Sequence, residues 1–416
     1  MKTIMSPRLP PLPIVIDYCF YTSPTPKDQS RIISALKRCD RVRGITLTGN
    51  LNKFDFAKFF KATKCSLPIL ESLDFGYEHV GTLVLPATFL TSKGSAPHLR
   101  CLKMDSVALA SILRLLSFST ALVYLSLRID TAFGPSPQES LPVYLRALPR
   151  LRRLELEISC SSISGPAHLT NPEAVVLLTE LTCFRYIGPS MALDALVAQF
   201  AAPSLQDLQV WITNKITFPN SHLHRFIGDV ENAFFSAQLA FDEKEVSLLM
   251  GSEPIDHSEP AFGLYTKRHF PDSMMRMSEA LSTKLAPVKE LLIVFGIRGD
   301  TSSQDAILWR RFLQQFRSVK LIQLDRQGIP DIADALQAKD GEAFQDFLPA
   351  LEAIELVGCK WGFRLIPERL AADLARFQPF VSAREQAGRP IKVGVAVYRS
   401  AASGDPGTSK CSLALV

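Results

Sequence analysis

Leu148-Pro149-Arg150-Leu151-Arg152-Arg153-Leu154-Glu155-Leu156 carries the pattern from which the rest of the chain is read. Its core is an apolar triplet at the first, fourth and sixth places, Leu151, Leu154 and Leu156. The same spacing returns at Val42/Ile45/Leu47, Leu70/Leu73/Phe75, Leu99/Leu102/Met104, Leu122/Leu125/Leu127, Leu181/Phe184/Tyr186, Leu205/Leu208/Val210, Val288/Leu291/Ile293, Val319/Ile322/Leu324 and Leu351/Ile354/Leu356.

The fifth place, between two apolar ones, holds Thr46, Asp74, Lys103, Ser126, Glu155, Arg185, Gln209, Leu292, Gln323 and Glu355, with Leu292 the sole apolar residue. A polar residue flanked on both sides by apolar ones is the alternation of a half-buried strand, not the period of a helix. The third place, which shares the outward face with the fifth, is mixed: Gly44, Ser72, Cys101, Tyr124, Arg153, Cys183, Asp207, Glu290, Leu321 and Ala353. Successive triplets up to Leu205 and again from Val288 follow at intervals of about 23 to 32 residues, room for a strand, a loop and a returning helix. This is a leucine-rich-repeat signature. The expected fold is α/β, an irregular solenoid or horseshoe with parallel strands on the concave face and helices on the convex face. Each unit has an apolar flank that only a neighbour covers, so stacking supplies the core.

A second marker lies just upstream of the strands: Leu67-Pro68, Ala96-Pro97, Leu148-Pro149, Ala202-Pro203, Ala286-Pro287 and Leu348-Pro349. Proline lacks an amide hydrogen and disfavours helix in the residue before it, so it is expected to end the incoming helix and send the chain extended into the strand. A regular Asn ladder at the bends is absent, which predicts irregular curvature.

At 416 residues with a net charge of +5, the chain is expected to be one continuous body over 1–399, with an irregular insertion near 251–273 and a disordered tail over 400–416. The insertion carries Pro254, Pro260 and Pro271, and the tail is rich in Ser, Gly, Asp and Thr. The eight cysteines are scattered without zinc spacing, and the amino terminus has only the brief apolar run Ile14-Val15-Ile16, which is too short for a secretory leader. No stretch approaches the roughly 20 apolar residues of a membrane span. A cytoplasmic or nuclear protein with no membrane association is expected.

Along the chain the pattern predicts a first strand over 12–18 and helices over 27–38, 51–62, 108–118, 140–148, 172–179, 191–200, 307–316 and 330–337. A long terminal helix, broken near Pro379, runs over 367–386, followed by a strand over 391–397. Residues 234–241 and 245–250 read as two strands joined through Asp242-Glu243-Lys244.

No nucleophile elbow, metalloprotease helix, phosphate-binding loop or dinucleotide fingerprint is present, so no catalytic residue, cofactor or metal is expected. His222 and His224, with His257 or His269, lack ligand spacing. The candidate site is the outward face of the strands: Asp74, Lys103, Tyr124, Arg153, Glu155, Arg185, Asp207 and Gln209. Tyr124 and Arg153 are the leading contact residues. Trp211 is read as an exposed anchor on the loop side, and Trp309 and Trp361 as core. The arginines around Arg38, Arg41 and Arg43 and around Arg146, Arg150, Arg152 and Arg153 would suit an anionic partner. Solvated charge near helix ends is the favoured reading, so nucleic acid is not the expected ligand.

Several segments in order resemble the repeat region of F-box-type proteins of mushroom-forming fungi: Leu12-Pro13-Ile14-Val15-Ile16-Asp17-Tyr18, Ala35-Leu36-Lys37-Arg38-Cys39-Asp40-Arg41-Val42-Arg43, Ala96-Pro97-His98-Leu99, Phe235-Ser236-Ala237-Gln238-Leu239-Ala240-Phe241, and Ala383-Arg384-Glu385-Gln386-Ala387-Gly388-Arg389-Pro390. The resemblance implies a protein-binding array that recruits a target, with a separate F-box docking on the adaptor of a cullin-RING ubiquitin ligase. The first repeat strand starts so early that the F-box itself is expected to be absent, and adaptor contact would need one upstream.

Overall fold

Burial at the triplets decides the architecture. In the computed structural model all thirty triplet residues, from Val42 to Leu356, are at most 3% exposed. The outward places between them are mostly half-exposed; Arg153–Ser159, for example, alternates exposed, buried, intermediate, buried, intermediate, buried, exposed. The structure describes residues 12–63, 66–77, 83–90, 95–130, 137–159, 175–213, 222–231, 233–241, 246–252, 284–295, 303–337, 347–357, 367–397 and 411–413. The chain is α/β with mostly parallel strands, and its residues group into two compact units.

The first unit spans 1–181 with 199–201. Its strands β1 (Ile14–Phe20), β2 (Val42–Gly49), β3 (Ser72–Tyr77), β4 (Cys101–Asp105), β5 (Tyr124–Asp130) and β6 (Arg153–Ser159) lie side by side in sequence order. Each adjacent pair from β1 to β6 is parallel. The register aligns one triplet with the next: Leu73 with Leu102, Leu102 with Leu125, Leu125 with Leu154. The returning helices are α1 (Pro26–Leu36), α2 (Phe56–Ala62), α3 (Leu109–Leu116) and α4 (Pro137–Leu145). Thr25 and Asp28 close a capping box on α1, and the bond from Thr25 holds the Asp28 carboxyl below its usual range. Phe59 of α2 meets Phe75 of β3 at 5.6 Å between ring centroids, edge to face, so this helix packs on the triplet face.

A short parallel pair, β7 (Val176–Leu177) with β9 (Phe200–Ala201), replaces the helix expected over 172–179 in its described part. Val176 donates to the Gln199 carbonyl and Leu178 to that of Ala201, so extended chain satisfies the backbone groups a helix would have satisfied internally.

The second unit holds 182–198 and 202–416. Its strands, in chain order, are β8 (Cys183–Gly188), β10 (Asp207–Ile212), β11 (Ser236–Phe241), β12 (Val246–Gly251), β13 (Glu290–Phe295), β14 (Leu321–Asp325), β15 (Ala353–Val357), β16 (Lys392–Val397) and β17 (Cys411–Leu413). Their spatial order is β8-β10-β12-β11-β13-β14-β15-β16-β17. Two departures from parallel pairing correct the expectation. The hairpin β11–β12 places β12 antiparallel to both β10 and β11. At the far edge β17, within the segment expected as a tail, pairs antiparallel with β16.

The helices of this unit are α5 (Ser190–Val197), α6 (His222–Gly228), α7 (Ser303–Leu313), α8 (Ile329–Leu336), α9 (Pro367–Ala375) and α10 (Gln378–Gln386). The expected terminal helix is broken at Arg376 and Phe377, just ahead of Pro379, which opens α10 at a position where its missing amide costs nothing. Most of the insertion expected near 251–273, together with Trp361, His257 and His269, lies outside the described residues.

The Xaa-Pro markers serve a tighter geometry than expected. Leu67, Ala96, Leu148, Ala202 and Leu348 each accept, through their carbonyls, the amide of the first triplet residue three places on, at 3.0 to 3.2 Å. Proline is the second residue of each turn, where its fixed φ is preorganised. At Leu285 the same closure onto Val288 has Pro287 in third place. Between several neighbouring copies, the carbonyl at the entry of one strand accepts two amides at the entry of the next. Arg100 takes those of Val123 and Tyr124, Val123 those of Arg152 and Arg153, and Lys289 those of Lys320 and Leu321. This ladder satisfies the strand entries without asparagine. In the second unit, basic side chains do similar service at turns and helix ends. The exposed Arg225 donates to the Ala198 carbonyl at 2.8 Å, the buried Arg310 to that of Ala335 at 3.0 Å, and the buried Arg384 to that of Leu351 at 3.0 Å.

Candidate functional site

Strand register brings the outward residues of the first unit into rows. One row runs Thr46, Asp74, Lys103, Ser126, Glu155, and the next runs Gly44, Ser72, Cys101, Tyr124, Arg153. Five of the expected site residues therefore sit on adjoining positions of one face. Tyr124 donates its hydroxyl to Glu155 Oε2 at 2.9 Å, and Arg153 Nε donates to Glu155 Oε1 at 2.7 Å. The Arg153 guanidinium also lies 5.7 Å from the Tyr124 ring centroid. The Glu155 side chain is 14% exposed against 49% for Arg153, so the acid is the clasped member and the guanidinium faces outward. Burial and the neighbouring Glu155 carboxylate push the Tyr124 phenol up to about 12.

Toward β3 the charge balance reverses. Lys103 Nζ stands 3.9 Å from Asp74 Oδ2, a loose pair, and the buried Asp74 Oδ1 has no hydrogen-bond partner. Burial raises the Asp74 carboxyl above its ordinary value; Lys103 opposes the shift, and Asp105 and Asp17 add to it. Asp105 is raised for the same first reason. Gly76 keeps this part of the face shallow, since a Cβ there would collide with Thr48 and reach Asp105 Oδ2 at 3.5 Å.

The second unit carries the other three expected residues. Asp207 Oδ2 accepts from Gln209 Nε2 at 3.1 Å and from the Cys183 thiol at 3.4 Å. Arg185 lies across from Gln209 in the register and spreads over the Trp211 indole, 4.7 Å from its centroid. Trp211 is 5% exposed, so the reading of it as an exposed anchor is corrected. It is two places beyond Gln209 on the outward side of the strand, but it serves as a covered platform rather than a protruding contact. Alternation alone could have placed it on that face; its cover could not be read without knowing what packs across the strand pair. Trp309 is fully buried, as expected for core.

Outward places further along are covered more than the pattern predicts. Leu292 and Gln323 are 5% and 4% exposed, and Gln323 donates to Glu355 Oε2 at 2.9 Å. Several arginines of the basic clusters are paired. Arg43 meets Glu71 at 2.9 Å, Arg152 meets Glu180 at 3.1 Å, and Arg41 donates to the Leu12 carbonyl. Among the described residues no group of three or more His, Cys, Asp or Glu could hold a metal, and no helix is long and apolar enough to cross a membrane. No protein-family model and no curated protein matches this chain, so the role of the face has to be read from its own residues.

Proposed function

We propose that the chain is a leucine-rich-repeat solenoid working as a non-enzymatic protein-binding module, with the outward strand positions as its docking face. The observation that carries this reading is the division of labour along each strand. The triplet positions are sealed, while the places between them hold polar and aromatic side chains already fixed by mutual bonds, such as Tyr124, Arg153 and Glu155. A preordered face loses little side-chain freedom on association, which favours specific docking. The pairing of Arg43, Arg152 and Arg153 with carboxylates weighs against a phosphate-backbone ligand, which needs cations in surplus. The resemblance to F-box repeat regions gives the module a setting, target selection for a cullin-RING ligase.

The test is affinity capture by the tagged chain from cell extract at low and moderate salt, with nuclease treatment. Wild type is compared with Lys103→Ala on the docking face and Arg114→Glu on the outer side of α3. A discrete protein retained at moderate salt, reduced by Lys103→Ala and kept by Arg114→Glu, is the expected result. An equal loss from Arg114→Glu, or a catch that nuclease removes, overturns the reading.

A further inference from the structure

Among the described strands, Arg43, Arg128 and Arg153 each meet a carboxylate: Arg43 lies 2.9 Å from Glu71, Arg128 3.1 Å from Glu157 and Arg153 2.7 Å from Glu155. No carboxylate among the described residues lies within 4.0 Å of Arg185. The acid on the neighbouring strand, Asp207, faces Cys183 in the register and accepts from Cys183 and Gln209 instead. What holds Arg185 is the face of Trp211, at 4.7 Å, and the indole N–H below is buried without an acceptor of its own. A guanidinium stacked this way uses its π face for the ring and keeps its N–H edge for acceptors in its plane. Its fork matches the two oxygens of a carboxylate. Stacking also orients the group before anything binds, which removes part of the ordering cost.

We infer that Arg185, laid on Trp211, anchors an Asp or Glu side chain from an extended acidic segment of the partner protein. The inference rests on the protein-docking reading and names the chemistry of its contact in the second unit. Charge favours a monocarboxylate over a free phosphate: Asp207 and Arg185 stand on adjacent strands, and the acid repels a dianion more than a single negative charge. Gln209, directly across from Arg185, adds an amide for the segment's main chain.

The experiment selects phage-displayed random peptides on the intact chain in three forms: wild type, Arg185→Gln and Arg185→Lys, each checked for an unchanged melting temperature. Wild type is expected to enrich Asp or Glu at one fixed peptide position about fivefold or more. Arg185→Gln abolishes that preference, and Arg185→Lys, which keeps the charge but not the fork, retains a minor part. A synthetic peptide from the selection should bind wild type about tenfold more tightly than its Glu→Gln version, and both versions should bind Arg185→Gln alike. An acidic preference that survives in Arg185→Gln, or inorganic phosphate outcompeting the acidic peptide at equal concentration, overturns the assignment. Selected peptides without an acidic preference remove the Arg185 anchor while leaving docking intact, whereas no enrichment on any form removes the docking reading and the anchor together.

Discussion

Tyr124, Arg153 and Glu155 provide the sharpest quantitative test, because two donors converge on one carboxylate, and the Tyr124 hydroxyl and the Glu155 charge can each be removed with little change of side-chain size. Tyr124→Phe deletes the 2.9 Å bond to Glu155 Oε2 and leaves the ring under Arg153 in place. Hydrogen bonds onto charged groups contribute roughly 1.5 to 3 kcal/mol, and the lower end applies here because Arg153 still serves the same acid. Glu155→Gln keeps an acceptor for the hydroxyl but discards the charge that Arg153 meets, a loss of about 0.2 to 1 kcal/mol for a pair this exposed. The double variant should therefore cost about 1 kcal/mol less than the sum of the two singles, the neutral amide being a weaker acceptor for the phenol than the carboxylate. Urea denaturation followed by far-ultraviolet circular dichroism at pH 7 measures the cycle. Repeating it in about 1 M salt, where screening shortens to about 3 Å, should shrink the Glu155→Gln effect more than that of Tyr124→Phe. A coupling below about 0.3 kcal/mol, or a Tyr124→Phe variant as stable as wild type, would refute the idea that this face is held rigid in advance.

Leu154→Ala, at a fully buried triplet position, should destabilise by about 2 to 5 kcal/mol in the same denaturation assay. Asp74→Asn should stabilise by about 0.5 kcal/mol at pH 7. The folded-state Asp74 pKa is raised, so the acid's contribution is most favourable below its ordinary pKa and is lost as pH rises through the folded value; the gain from Asn should fade toward pH 3, and a gain that persists there contradicts the burial argument. Gly49→Ala should cost about 1 to 3 kcal/mol, since φ at this residue is +85° and a Cβ would run into the Phe20 carbonyl; a melting temperature within a degree of wild type would count against it.

The strands were legible because burial on one face writes itself into every second residue, and all ten triplets fall at buried strand positions or at the turn residue before them. Strand direction is another matter. The alternation around β11 and β12 reads the same either way along the chain, and only the short link after Phe241 carries the antiparallel signal, since a parallel crossover needs a dozen or more residues. The region around Val176 misled for a related reason. Val175-Val176-Leu177-Leu178 fits a buried helical turn or a short strand equally, and pairing with Phe200–Ala201 settles it through hydrogen bonds that no local pattern records. The outward positions were legible as a face, but which partners Tyr124, Arg185 or Trp211 take depends on neighbours one strand away. Asp74 and Lys103 approach each other across strands, while Trp211 disappears under Arg185.

The β11–β12 hairpin has a consequence of parity. Two reversals of direction cancel, so β13 points the same way as β10 although β12 and β11 stand between them. A lone added strand at this place would leave its neighbours with mismatched polarity, whereas a pair passes the original orientation on unchanged. The array can thus grow or shrink here in steps of two strands and still present every later copy, from Glu290 onward, with its triplet inward and its polar residues out.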